Sequence, residues 1–102
     1  MFELKRQPTH PGEMLREEFL VPLEITQSAL AKALHTSFRA INELVNEKRG
    51  ITTEMALKLS RYFGTSAQIW LNLQNEFDLY KTMQKKGSDI ESIAHFEKIN
   101  VA

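Results

Sequence analysis

The sequence contains no cysteine among its 102 residues. Disulfide bonds and thiolate metal sites are therefore excluded. It also lacks any apolar run near the roughly 18 residues that a membrane-spanning helix needs. The N-terminal residues do not contain the apolar stretch of a signal peptide. We therefore expect a cytoplasmic protein without membrane association.

An excess of charge of either sign is also absent. Thirteen Lys and Arg residues balance thirteen Asp and Glu residues, whereas a DNA-binding domain often carries a basic excess. The neutral total slightly favours a module that binds only proteins. The distribution favours DNA, because residues 26–52 contain four basic and only two acidic residues: Lys32, Arg39, Lys48 and Arg49 against Glu43 and Glu47.

Apolar residues recur every three or four positions, and no strand-like alternation, internal repeat or low-complexity segment is present. The sequence therefore predicts an all-α fold. Capping and stop signals predict five main helices, at 10–21, 26–34, 37–46, 52–63 and 66–86. Thr26, Ser37 and Ser66 are the predicted caps of the second, third and fifth helices. Pro22, Gly64 and Gly87 are the predicted stops of the first, fourth and fifth. The capping box at 88–91 predicts a short sixth helix through Phe96.

The stretch from Thr26 to Leu44 has the spacing of a helix-turn-helix. Each half can bury one helical face, and only His35, Thr36 and Ser37 lie between the halves. Such a gap fits a tight turn between two helices. In this motif the second helix enters the DNA major groove and reads bases mainly with its first residues. Sequence-specific DNA binding is therefore the leading hypothesis.

The second motif helix and its flanks supply the candidate DNA contacts. Arg39 has the side chain that pairs with guanine through two hydrogen bonds, and Asn42 has the one that pairs with adenine. Phe38 either contacts a thymine methyl group or covers the turn. The full set of predicted DNA-binding residues is Gln27, Thr36, Ser37, Phe38, Arg39, Asn42, Glu43, Asn46, Lys48 and Arg49.

Four of these residues flank the base-reading helix and have other expected partners. Gln27 opens the first motif helix, from which its amide can reach a phosphate or a base edge. Asn46, Lys48 and Arg49 follow the second motif helix, where a loop passes near the DNA backbone. We expect these three to contact phosphates rather than bases.

From His10 to Leu79 the chain resembles the HigA family of antitoxins, also known as virulence-associated protein I, within the Xre/Cro group. The matching blocks are residues 10–13, the helix pair at 26–46, residues 49–52 and 55–66, and the tryptophan block at 70–74. The resemblance implies a five-helix Xre/Cro-like DNA-binding domain, which we place at 10–80. The sequence itself predicts an N-terminal arm at 1–9, because Pro8 and Pro11 disfavour helix before them, and a short C-terminal helical extension at 81–102, which has no dependable family match.

The resemblance also implies partners. It implies a homodimer that binds an inverted-repeat operator in double-stranded DNA and represses its own operon. It further implies a HigB-type toxin that cleaves mRNA and is held inactive in the complex. Neither a cofactor nor a metal ion is implied.

The chain departs from the family pattern around the motif. The family usually has glycine at the position of His35 and a branched apolar residue at the position of Thr36. It usually has a polar residue or proline at the position of Phe38, and often glycine at the position of Glu47. Glycine relieves the left-handed conformation that ends a helix. Histidine tolerates that conformation better than most residues do.

The last predicted main helix has more than one apolar face. One face can pack on the rest of the domain while another buries against a second subunit. The predicted dimer-interface residues are Trp70, Leu71, Phe77 and Tyr80, although aromatic residues at helical spacing are also typical of a core.

Other classes of function find little support. His10 and Glu13 are spaced for a metal ion, but further ligands are scarce, and His10 is better interpreted as a helix-start residue. No phosphate loop, serine elbow or paired catalytic carboxylates indicate an enzyme. The remaining alternatives are a standalone Xre-type regulator without a toxin and a protein-only interaction module.

Overall fold

The computed structural model describes residues 7–97, which form five helices. Helix α1 runs continuously over residues 11–23, as an α-helical turn Pro11–Met14, a π-helical segment Leu15–Leu20 and a last turn Val21–Leu23. The others are α2 (Gln27–Ala33), α3 (Phe38–Val45), α4 (Thr53–Phe63) and α5 (Ala67–Glu91). None of them combines the length and apolar character needed to cross a membrane.

Each helix begins after a residue whose side chain accepts a hydrogen bond from a free backbone N–H group. The predicted caps Thr26, Ser37, Thr52 and Ser66 accept from the N–H three residues ahead, at 3.0–3.2 Å. His10 caps α1, because its Nδ1 accepts from Gly12 N at 2.8 Å. Such caps each stabilise a helix by about 0.5–2 kcal/mol. The predicted helix starts are confirmed.

The end of α1 differs from the prediction. The helix passes through Pro22 and ends at Glu24, whose φ of 54° is left-handed. Before Pro22 the hydrogen bonds follow the wider π-helical pattern, in which Val21 N donates to Arg16 O five residues back. Pro22 therefore lies within the last turn and does not terminate the helix.

The C-terminal part also differs. Helix α5 continues through Gly87 to Glu91, and residues 94–97 have no regular structure, so the predicted stop at Gly87 and the separate sixth helix are wrong. Gly64 has a φ of 78° and ends α4 as predicted, whereas Gly87 has no positive φ. A glycine that keeps helical dihedrals weakens a helix but does not end it.

The core lies where all five helices converge. Helix α2 packs on α3, α4 packs on α5, and α1 contacts both α3 and α5. The fully buried large side chains include Leu15, Leu30, Ile41, Leu44, Leu59 and Trp70. This core holds the α2–α3 pair in a fixed position.

Trp70 belongs to this core and not to a dimer interface. Its side chain is 0% exposed, its ring lies 5.5 Å from that of Phe19, and its Nε1 donates to Thr65 Oγ1 at 2.8 Å. A side chain without accessible surface cannot anchor a second subunit, so assigning Trp70 to the interface was wrong. Leu71, Phe77 and Tyr80 are half-buried, and their interface role stays a prediction.

The predicted domain limits stay predictions as well. Helix α5 runs without interruption across the expected limit between residues 80 and 81. Of the predicted arm at 1–9, residues 1–6 lie outside the described part of the chain, as do residues 98–102 of the predicted extension.

Candidate nucleic-acid interface

Helices α2 and α3 are joined by a four-residue connection that forms a tight turn. His35 has a φ of 56°, His35 N donates to Lys32 O at 3.2 Å, and Thr36 N donates to Ala31 O at 2.9 Å. These two bonds end α2 in the way that a left-handed residue after a helix allows. Lys58 Nζ on α4 also donates to the carbonyl of His35 at 3.2 Å. The predicted helix-turn-helix geometry is present.

Helix α3 buries one face and exposes the other. Ala40, Ile41, Leu44 and Val45 are buried, whereas Ser37, Phe38 and Arg39 at its start are exposed and Asn42 and Glu43 are half-buried. The Arg39 side chain is 83% exposed and Phe38 is 52% exposed. The outer face of α3 therefore presents several of the predicted base-reading side chains to solvent.

Two of the predicted contacts, Gln27 and Asn42, meet across the helix pair. Asn42 Nδ2 donates to Gln27 Oε1 at 3.0 Å, linking the first residue of α2 to the middle of α3. An amide carries a second donor hydrogen and further acceptor capacity. The linked pair can therefore still offer a donor and an acceptor to a base edge, as recognition of adenine requires.

Arg39, Glu43 and Arg49 form an ion-pair cluster that the sequence analysis did not anticipate. Arg39 Nε donates to Glu43 Oε2 at 2.9 Å. Arg49 donates to Glu43 Oε1 from Nε at 3.1 Å and from Nη2 at 2.7 Å. The i,i+4 spacing of Arg39 and Glu43 could have indicated the first pair, but nothing local indicated Arg49.

The cluster also shifts the pKa values of Glu43 and Arg39. Hydrogen bonds from Arg39 and then Arg49 hold the pKa of the Glu43 carboxyl below its usual range. The hydrogen bond and charge of Glu43 raise the pKa of Arg39. Glu43 therefore stays ionised near neutral pH and cancels part of the positive charge that the two arginines present.

Contacts from α1 fix the far end of α3. Arg16 Nη1 donates to the carbonyl of Val45 at the C-terminal end of α3, and Arg16 Nη2 lies 3.8 Å from Glu47 Oε2. A Cβ atom at Gly12 would overlap the backbone carbonyl of Leu44, so α1 approaches this end of α3 as closely as a glycine permits. Arg16 and Gly12 thus orient α3, and neither role was recognised in the sequence.

The loop after α3 carries the predicted phosphate contacts. Asn46, Lys48 and Arg49 are exposed, and Glu47 has a φ of 60°. Ile51 N donates to Gln74 Oε1 of α5 at 2.6 Å and anchors the loop to the long helix. Thr36, the remaining predicted contact, is half-buried in the turn before α3. The predicted set therefore lies on α2, the turn, α3 and the following loop, whereas contact with DNA stays a prediction.

The position of His10 decides its interpretation. Its Nδ1 accepts the capping hydrogen bond, and its ring packs edge-on against Phe77 at 4.7 Å. Within residues 7–97 no group of three His, Asp or Glu residues is placed to hold a metal ion. His10 therefore acts as a buried helix cap.

Comparison with known proteins agrees with this geometry. The helix-turn-helix family model matches residues 15–70, more than half of the chain. Virulence-associated protein I of Dichelobacter nodosus is 57% identical over 79 residues, which cover 78% of this chain and 73% of that protein. These matches include all of the predicted DNA-binding helix pair.

Solved structures match over most of the chain. The Pseudomonas aeruginosa antitoxin HigA with the higBA promoter has a TM-score of 0.85 and 46% identity, covering 89% of this chain and 100% of that chain. The antitoxin GraA in complex with its operator has a TM-score of 0.86 and 37% identity, covering 95% and 99%. The fold described above is therefore shared with antitoxins whose solved structures include a promoter or an operator.

Proposed function

The chain belongs to the Xre-type helix-turn-helix family that includes the HigA antitoxins and virulence-associated protein I, and on this premise we propose that it is an antitoxin that represses its own operon. The family is one of DNA-binding regulators and not a class of enzymes. The observation that carries the proposal is the outward face of α3, with Arg39 exposed and Asn42 linked to Gln27.

The proposed DNA contacts divide into two kinds. Arg39 reads guanine and the Asn42–Gln27 pair reads adenine, since these side chains match the donors and acceptors of those bases in the major groove. Lys48 and Arg49, exposed in the loop after α3, contact phosphates. Relatives solved with a promoter or an operator support DNA binding by this fold.

A dimer completes the proposal. Two-fold symmetry places two recognition helices on one face of an inverted repeat, with half-sites about one helical turn apart or a small multiple of it. A dimer also doubles the phosphate contacts, which a chain without net charge needs for tight binding. Because an operon repressor acts where bacterial DNA lies, we place the protein in the cytoplasm.

The toxin partner is the part of the proposal that rests on the family alone. We propose that the chain binds and inactivates a HigB-type, mRNA-cleaving toxin. Co-expression with the product of the adjacent gene, followed by co-purification, tests this. A protein that purifies alone, with no small basic open reading frame beside its gene, would instead be a standalone regulator.

Fluorescence anisotropy with DNA from upstream of its own gene tests the DNA-binding part. We expect Arg39→Ala to weaken binding to the operator by about 10- to 100-fold and to relax preference at one base pair. Arg61→Ala is the matched control, because Arg61 is an exposed arginine on α4, outside the predicted contact set. Equal weakening on every sequence would exclude base reading by Arg39. Absence of binding at low salt would favour the protein-only module.

A further inference from the structure

The carboxylate of Glu43 joins two arginines to which the proposed function gives different tasks. Arg39 lies in the first turn of α3 and is the proposed reader of guanine, whereas Arg49 lies in the next loop and is a proposed phosphate contact. Glu43 accepts one hydrogen bond from Arg39, at 2.9 Å, and two from Arg49, at 3.1 and 2.7 Å. One acidic side chain thus holds both kinds of DNA contact.

The two arginines are held differently. The Arg39 side chain is 83% exposed and has one bond to Glu43, so it can swing into a groove after losing that bond. The Arg49 side chain is 44% exposed and has two bonds to a single oxygen of Glu43. When Arg39 leaves, Glu43 therefore keeps a charged partner, and its half-buried carboxylate is not left unpaired.

DNA competes with Glu43 for these guanidinium groups. A phosphate offers Arg39 a charged acceptor much like the carboxylate that it would leave, so the exchange gains little. A phosphate bound by Arg39 would also lie close to the negative charge of Glu43, which repels it. The O6 and N7 atoms of guanine accept two hydrogen bonds at once, but only where the helix sits in the correct register.

We propose that Glu43 is a specificity-determining positioning residue: it keeps Arg39 from indiscriminate phosphate binding, releases Arg39 to a guanine edge, and stays paired with Arg49 when Arg39 leaves. Specificity then comes partly from an element that disfavours the wrong DNA. This inference rests on the proposed function, because it presupposes that the outer face of α3 meets DNA.

The test compares Glu43→Gln with the wild type on the operator duplex and on a shuffled duplex of equal composition, over a series of salt concentrations. We expect affinity for shuffled DNA to rise about three- to tenfold, and affinity for the operator to change less, so that their ratio falls. On shuffled DNA the plot of log affinity against log salt should steepen by about 0.9, the value for one additional phosphate contact.

Glu18→Gln is the control with the same change of net charge. Glu18 is an exposed carboxylate on α1, outside the predicted set of DNA contacts, so this variant should keep the wild-type ratio. In an Arg39→Gln background, Glu43→Gln should lose most of its effect on the ratio, because the two residues act together. Thermal unfolding of each variant verifies that the fold is kept.

Several results would overturn the inference while leaving DNA binding intact. These are an equal change of affinity on both duplexes, the same fall of the ratio in Glu18→Gln, or an undiminished effect of Glu43→Gln without Arg39. If the wild type binds neither duplex at low salt, the proposed function fails and the role of Glu43 fails with it.

Discussion

At the scale of single residues, the described part of the chain has three residues other than glycine in the left-handed conformation. Glu24, His35 and Glu47 have φ values of 54°, 56° and 60°. They lie just before α2, between α2 and α3, and just after α3, so every end of the motif turns through a conformation that L-residues disfavour. Such positions cost about 1–2 kcal/mol each.

The turn residue His35 is the most direct test of this strain. We expect His35→Gly to raise the free energy of unfolding by about 0.5–1 kcal/mol, because relief of the left-handed conformation exceeds the entropy that glycine adds to the unfolded chain. Urea denaturation measures the change. His35→Ala keeps a Cβ atom and should show no such gain; an equal gain there would mean that the imidazole and not the backbone is unfavourable.

His10 gives the fold a dependence on pH. Burial lowers its pKa from the ordinary value of 6.5, against the opposing charges of Glu47, Asp78 and Glu13. The unfolded chain therefore takes up a proton more readily than the folded one, and stability that is present above pH 6.5 is lost as the pH falls below it. Protonation would also remove the Nδ1 lone pair that caps α1.

We therefore expect the free energy of unfolding to fall between about pH 7.5 and 5.5, at no more than about 1.4 kcal/mol per pH unit for one proton. His10→Asn can cap the helix without titrating. Denaturant midpoints for the two proteins over this range should show a steeper fall for the wild type. Parallel curves would assign the pH dependence to other groups.

At the scale of elements, local signals located the helix starts and failed at two ends. The caps Thr26, Ser37, Thr52 and Ser66 act within three residues, so the sequence alone places them. The stop at Gly87 and the capping box after it have the same local form, yet the helix continues. Whether a glycine ends a helix depends on its dihedral angles, which its identity does not determine.

Gly87 and Gly64 form a matched pair that tests this difference. Gly87→Ala should raise the free energy of unfolding by about 0.5–1 kcal/mol, because alanine favours a continuing helix and the nearest contact of its Cβ would be Met83 Cε at 3.7 Å. Gly64→Ala should lower it by about 1 kcal/mol, since its φ is 78° and no steric contact compensates. Thermal denaturation of both variants measures these changes in stability. Destabilisation by Gly87→Ala would mean that α5 is broken at that residue.

At the scale of the whole molecule, the contacts that position the site connect distant parts of the chain. The Gln27–Asn42 bond spans 15 residues and the Arg16–Val45 bond spans 29. The spacing of apolar residues indicated which face of α3 is outward, because that spacing is visible within the helix itself. The partners of its side chains could not be predicted, because they depend on how α1 and the loop after α3 pack.

The dimer interface is also a property of the whole molecule. With Trp70 in the core, the predicted interface on α5 comprises Leu71, Phe77 and Tyr80. A second exposed apolar surface lies on α4, in an open groove where Leu57 is 57% exposed. A dimer through α5 should therefore depend on Tyr80 and not on Leu57.

We expect Tyr80→Glu to weaken dimerisation by at least about tenfold, since it would bury a charge in an apolar contact. Sedimentation equilibrium of each variant measures the association constant. Leu57→Glu is the control and should dimerise like the wild type. The opposite pattern, with monomers only for Leu57→Glu, would move the interface to α4.

The close approach of α1 to α3 at Gly12 bears on how such a protein diversifies. Because a Cβ atom at Gly12 would overlap the Leu44 carbonyl, a larger residue there would displace this end of α3 and tilt the proposed recognition helix. Genetic selections for new operator preference should therefore return hits behind the recognition surface as well as on it. We therefore expect operator preference to change through such substitutions even when Gln27, Arg39 and Asn42 are kept.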